Sequence, residues 1–109
     1  PDVNGCSHAT ATDATGAPLT VRFSGLSYTP KCARIKVGQT VTFSGSFASH
    51  PLRAGTVSQG VATPAPTSPI TSTSTGTTAS FTFPAAGAYP YYCGVHFGAG
   101  MFGALYVDP

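Results

Sequence analysis

Apolar and polar residues alternate along this chain in short runs punctuated by glycine, proline and serine. Leu19-Thr20-Val21-Arg22-Phe23-Ser24, Ala33-Arg34-Ile35-Lys36-Val37 and Thr40-Val41-Thr42-Phe43-Ser44 each show a period of two, the pattern of a strand with one buried face. Ser24-Gly25 and Gly38-Gln39 end the first two runs. Ser80-Phe81-Thr82-Phe83 is a fourth, closed by Pro84-Ala85-Ala86-Gly87. In Tyr89-Pro90-Tyr91-Tyr92-Cys93 the same period sets Tyr89, Tyr91 and Cys93 on one face and Pro90 and Tyr92 on the other. Pro90 has no N–H, so it is expected at an edge or at a gap in the ladder. Gly103-Ala104-Leu105-Tyr106-Val107 supplies the last run. Six or seven short strands, no helical period and no internal repeat predict an all-β sandwich, with residues 1–109 as a single domain.

Two stretches resist this reading. The first eighteen residues are small and polar, broken by Gly5, Gly16 and Pro18, with Cys6 as the one obvious anchor. Arg53 to Thr78 has almost no periodicity. Pro64, Pro66 and Pro69 argue against a helix there, and the Ser/Thr tract from Thr71 reads as an exposed loop or an edge strand.

Composition narrows the function. Of 109 residues, 41% are apolar, enough for one core, and only 7% are charged, far below the usual quarter. The formal net charge of +2 is small, and Arg22, Lys31, Arg34, Lys36 and Arg53 form no run, so nucleic acid is excluded as a partner. No apolar stretch approaches the roughly 20 residues that span a bilayer. Pro1-Asp2-Val3-Asn4 lacks the charged start and apolar run of a signal peptide, and a processed chain is expected.

The chemistry concentrates in one segment. Cys93, His96 and Met101 follow the spacing Cys-x2-His-x4-Met. A thiolate, an imidazole and a thioether form a soft donor set suited to copper rather than to calcium or magnesium. Zinc sites share the Cys-x2-His spacing, but methionine is not a usual zinc ligand. A fourth ligand must come from elsewhere, and His50, just after a strand-like run, is the better candidate; His8 sits in the polar N-terminal stretch. Two His and one Cys with a distant axial Met is the blue-copper electron-transfer arrangement.

The segment 87–107, Gly-Ala-Tyr-Pro-Tyr-Tyr-Cys-Gly-Val-His-Phe-Gly-Ala-Gly-Met-Phe-Gly and an apolar strand, closely resembles the C-terminal end of plastocyanin. The resemblance to cupredoxins at large covers most of the chain but is loose outside the ligand positions. It implies a Greek-key β-sandwich holding one type 1 copper through His50, Cys93, His96 and Met101. It also implies a small monomeric protein that shuttles single electrons and is not itself an enzyme. In cupredoxins the residue after the first His usually donates its N–H to the Cys sulfur. Here that residue is Pro51, which has none, and Val95 is the expected substitute.

The resemblance further implies that electrons leave through His96, at an apolar face that includes Phe97 and Phe102. No charged side chain occurs among residues 97–102, so redox partners are expected to dock by apolar contact rather than by steering between charged patches. If Cys93 holds metal, Cys6 and Cys32 remain as a disulfide or as two buried thiols. Azurin-like cupredoxins carry a disulfide at similar positions, and a disulfide here would imply the periplasm or the exterior. Two alternatives stand beside the electron carrier. A copper carrier or scavenger would be richer in Met and His. A multicopper enzyme domain would carry His-x-His motifs, which this chain lacks.

Overall fold

In a computed structural model that describes residues 1–109, the chain folds into ten strands. They are β1 (Thr12–Asp13), β2 (Leu19–Ser24), β3 (Ser27–Thr29), β4 (Cys32–Lys36), β5 (Thr40–Ser44), β6 (Leu52–Ser58), β7 (Val61–Pro64), β8 (Thr78–Thr82), β9 (Gly87–Cys93) and β10 (Phe102–Asp108). One sheet has six strands in the order β1-β4-β10-β9-β6-β7 and the other four in the order β3-β2-β5-β8. Strands β4 and β10 run parallel, as do β2 and β5, and the hairpin-like pairs β9–β10 and β6–β7 are antiparallel. This is the expected Greek-key sandwich, with more strands than the six or seven legible in the sequence.

The alternating runs place their apolar positions between the sheets. Val21, Phe23, Val41 and Phe43 from the four-stranded sheet meet Ala33, Ile35, Tyr91, Cys93, Leu105 and Val107 from the six-stranded one in a single cluster that also holds Met101. Strand β10 is buried almost throughout. Its other face, Ala104 and Tyr106, lies against a second, smaller cluster formed with Cys6 and Ala11. The N-terminal segment therefore covers the outside of the six-stranded sheet, where the sequence offered Cys6 as its only anchor. A disulfide joins Cys6 to Cys32, and Cys93 is the sole free cysteine.

The aperiodic stretch resolves into parts. Arg53 to Pro64 supplies most of β6 and all of β7. Residues that follow return to the same edge: Ile70 is buried in the main core, and Leu52 and Thr73 exchange two backbone hydrogen bonds of 2.9 and 3.1 Å. The Ser/Thr tract is thus pinned against the start of β6, two residues beyond His50. The Pro90 expectation also finds its place. Strand β6 pairs with β9 only from Leu52–Ala54 against Cys93–Tyr91, and Pro90 lies just past the end of that ladder.

A candidate metal centre

Three of the four sequence-predicted residues converge at one end of the sandwich, each delivered by a different structural device. Cys93 is the last residue of β9 and is fully buried, with its N–H donating to the Met101 carbonyl at 2.9 Å. His96 follows in a tight loop whose short 3₁₀ turn spans Phe97–Ala99. Gly100 closes that turn at φ 94°, where a side chain would be strained, and donates its N–H to the Phe97 carbonyl. The reversal lets the Met101 N–H donate to the His96 carbonyl at 3.3 Å. His50 comes from the β5–β6 connection, its N–H bonded to the Ser46 carbonyl at 3.0 Å.

The donor atoms form a triangle. His50 Nδ1 and His96 Nδ1 are 3.1 Å apart, and each is 3.7 Å from Cys93 Sγ. A point in the plane of these atoms lies about 2.0 Å from all three, close to the metal–nitrogen length and somewhat under the metal–sulfur length known for zinc sites. The geometry and the N, N, S chemistry therefore fit a metal ion at the centre of the triangle. Met101 is fully buried in the same cluster as Cys93. His8 takes no part: its Nε2 lies 2.7 Å from Asp108 Oδ1, at the other end of the sandwich.

The surroundings favour a neutral, oriented His50 ring. Burial first, and the adjacent His96 second, hold the His50 ring below its ordinary pKa. The Phe23 ring stands edge-on to His50 with centroids 6.1 Å apart, and Phe23 in turn packs on Phe47 and Tyr28. The N–H donor to the Cys93 sulfur is that of His96 itself, at 3.4 Å. The expectation of Val95 in that role is corrected: its side chain is exposed, and the turn after Gly94 aims the next N–H, not Val95's, back at the sulfur. Pro51 contributes through its carbonyl instead, accepting the Gly94 N–H at 2.8 Å.

Charge was the feature least visible in sequence. Lys31 Nζ sits 4.7 Å from the centre of the Phe102 ring, in cation–π range. Arg53 donates to the Leu52 carbonyl and to Ser74 Oγ, and its stem and Nε line the space over Gly94. Residues 97–102 carry no charge of their own, but two cations from neighbouring segments lie beside the loop, Lys31 at Phe102 and Arg53 at Gly94. No spacing rule links Lys31 to Phe102; only the parallel β4–β10 pairing brings them together.

Comparison with known proteins agrees with this picture. A sequence model of the copper binding proteins of the plastocyanin/azurin family matches residues 16–108. No match was found among curated protein sequences. Among solved structures, a reduced point mutant of amicyanin is 28% identical, with a TM-score of 0.54 over 82% of this chain and 80% of that one. The copper-containing nitrite reductase of Thermus scotoductus SA-01 is 26% identical, with a TM-score of 0.59 over 84% of this chain, but this chain spans only 22% of that enzyme. Auracyanin from Roseiflexus castenholzii shares the fold, at 19% identity and a TM-score of 0.56 over 88% of this chain and 100% of that one.

Proposed function

This chain belongs to the plastocyanin/azurin family of copper binding proteins, and on that premise we propose that it is a single-domain carrier of single electrons. The observation that carries the reading is the triangle of His50 Nδ1, His96 Nδ1 and Cys93 Sγ, with sides of 3.1, 3.7 and 3.7 Å. We assign His50, Cys93, His96 and Met101 as the residues that would hold copper. Copper bound there would supply one-electron redox chemistry.

The protein's part is to hold its donors still. Cys93 is fixed by its N–H on the Met101 carbonyl and by the His96 N–H on its sulfur. His50 and His96 both turn Nδ1 toward Cys93, so their other ring edges face away from it, and both residues are half-buried. A donor set locked by neighbouring backbone rearranges little when the charge at its centre changes, which suits fast exchange. Partner proteins dock where His96 approaches the surface, against Phe97, Phe102 and exposed Val95. The Cys6–Cys32 bridge fits an oxidising compartment such as the periplasm or the exterior.

On this reading the domain itself turns over no substrate. Cys93 is flanked by Tyr92 and Gly94, so no adjacent histidine relays electrons to a second centre, and His8 is engaged with Asp108. A redox titration of the copper-loaded protein tests the proposal. It should follow a reversible one-electron curve. Irreversible loss of metal on reduction would instead favour a copper carrier that releases its ion.

A further inference from the structure

The charged side chains are sorted by end of the sandwich. Arg22 faces solvent and pairs with Ser44, where β5 ends and the connection to His50 begins; Lys31 lies over Phe102; Arg53 lies beside Gly94. None of these three forms an ion pair. At the opposite end Arg34 is 3.3 Å from Asp13 and 3.8 Å from Asp108, and Asp108 is also bonded to His8. Lys36 reaches the C-terminal Pro109, and Asp2 lies near enough to Tyr106 to disfavour its ionisation. One end therefore carries three unpaired cations and no carboxylate. The other carries every carboxylate side chain.

We propose that the end bearing His96 receives an acidic redox protein, one whose own docking face has an apolar centre ringed by carboxylates. This inference rests on the electron-carrier reading above. The apolar centre formed by Phe97, Phe102 and Val95 matches the partner's apolar contact, while Lys31 and Arg53 flank it on two sides of the ligand loop. Opposite charge around a close contact raises the association rate and fixes orientation more than it adds affinity. The field of these cations acts over about 10 Å at 0.1 M salt, so its signature is a rate that falls as ionic strength rises. A second copy of this chain would present the same cations, and its approach would be opposed.

Stopped-flow oxidation of the reduced copper form tests this with two probes, anionic hexacyanoferrate(III) and cationic tris(phenanthroline)cobalt(III). Lys31→Glu, Arg53→Glu and Lys36→Glu change net charge equally, but Lys36 lies at the far end. The first two should each slow the anionic reaction by at least about threefold at low salt and speed the cationic one, with Lys36→Glu near wild type. An acidic c-type cytochrome should lose rate in the same order. If Lys36→Glu slows the anionic reaction as much as Lys31→Glu, only net charge acts and the proposal fails. A reduced protein that exchanges electrons with no probe would refute the carrier reading instead. Redox-inert hexacyanocobaltate(III) gives a readout on the unsubstituted protein. It should shift amide resonances of Gly94 to Phe102; shifts confined to Arg34–Lys36 would also overturn the inference.

Discussion

The side-chain amide of Asn4 donates to the carbonyl of Gly103 at 2.9 Å, across a sequence separation of 99 residues. The same nitrogen lies 3.0 Å from the Tyr91 carbonyl and 3.2 Å from that of Gly55, while Asn4 Oδ1 accepts the Val57 N–H at 2.8 Å. Tyr91 precedes Cys93 by two residues and Gly103 follows Met101 by two. Asn4 therefore bridges both stems of the ligand loop to β6, where the β6–β9 ladder stops and Pro90 offers no donor.

Removing that bridge should be costly. Asn4→Ala leaves several buried backbone groups without partners, and each such group costs about 1–3 kcal/mol. Denaturant unfolding should show a loss of about 3 kcal/mol, larger than for an Asn→Ala change on the exposed surface. A loss below about 1 kcal/mol would mean that water satisfies the strands instead.

The disulfide is expected to stabilise without tuning the metal. Cys6 and Cys32 are 26 residues apart, a loop whose closure is worth about 3.5 kcal/mol in the chain-entropy model. Replacing both by Ser should lower stability by roughly that amount. The visible spectrum of the copper form should be unchanged, because Cys93 stands outside the bridge. A lost band would show that the bridge shapes the site as well.

Alkaline pH should expose a weakness in the core. The Tyr28 hydroxyl is buried with no hydrogen-bond partner. Burial first, and the charge of nearby Cys93 second, push its pKa well above the ordinary value; burial likewise raises Tyr91 and Tyr106. A phenol kept neutral in the fold but free to ionise when unfolded gives stability that is fully present below about pH 10 and is lost as pH rises beyond it. Tyr28→Phe removes one such group and an orphaned hydroxyl together. Unfolding free energy at pH 7 should rise by about 1 kcal/mol, and its decline above about pH 10 should become shallower. An unaltered decline would place the alkaline sensitivity in Tyr91 and Tyr106 alone.

What could be read from the sequence, and what could not, follows from how local each signal is. Strands with one wet face, such as Thr40–Ser44, show their period directly. Strand β10 does not, since the N-terminal segment covers its second face with Cys6 and Ala11. Strand β6 is obscured by Gly55, whose missing side chain makes room for the Thr63 carbonyl and the Tyr92 ring. The His50–Cys93–His96 cluster was legible because two of its three residues share one loop. Asn4 and Lys31 were not, because each acts on residues brought near only by the closed sheet, and nothing in their own neighbourhoods marks them.

The central claim is that Cys93, with His50 and His96, holds copper as a thiolate-bound one-electron centre. Copper loading followed by visible absorption spectroscopy addresses it most directly. The oxidised protein should bind one copper per chain and absorb intensely in the visible through charge transfer from the Cys93 sulfur. Cys93→Ser should remain folded, as judged by its far-ultraviolet circular dichroism, and be colourless. A colourless copper-loaded wild type, or a band that survives in Cys93→Ser, would contradict the account.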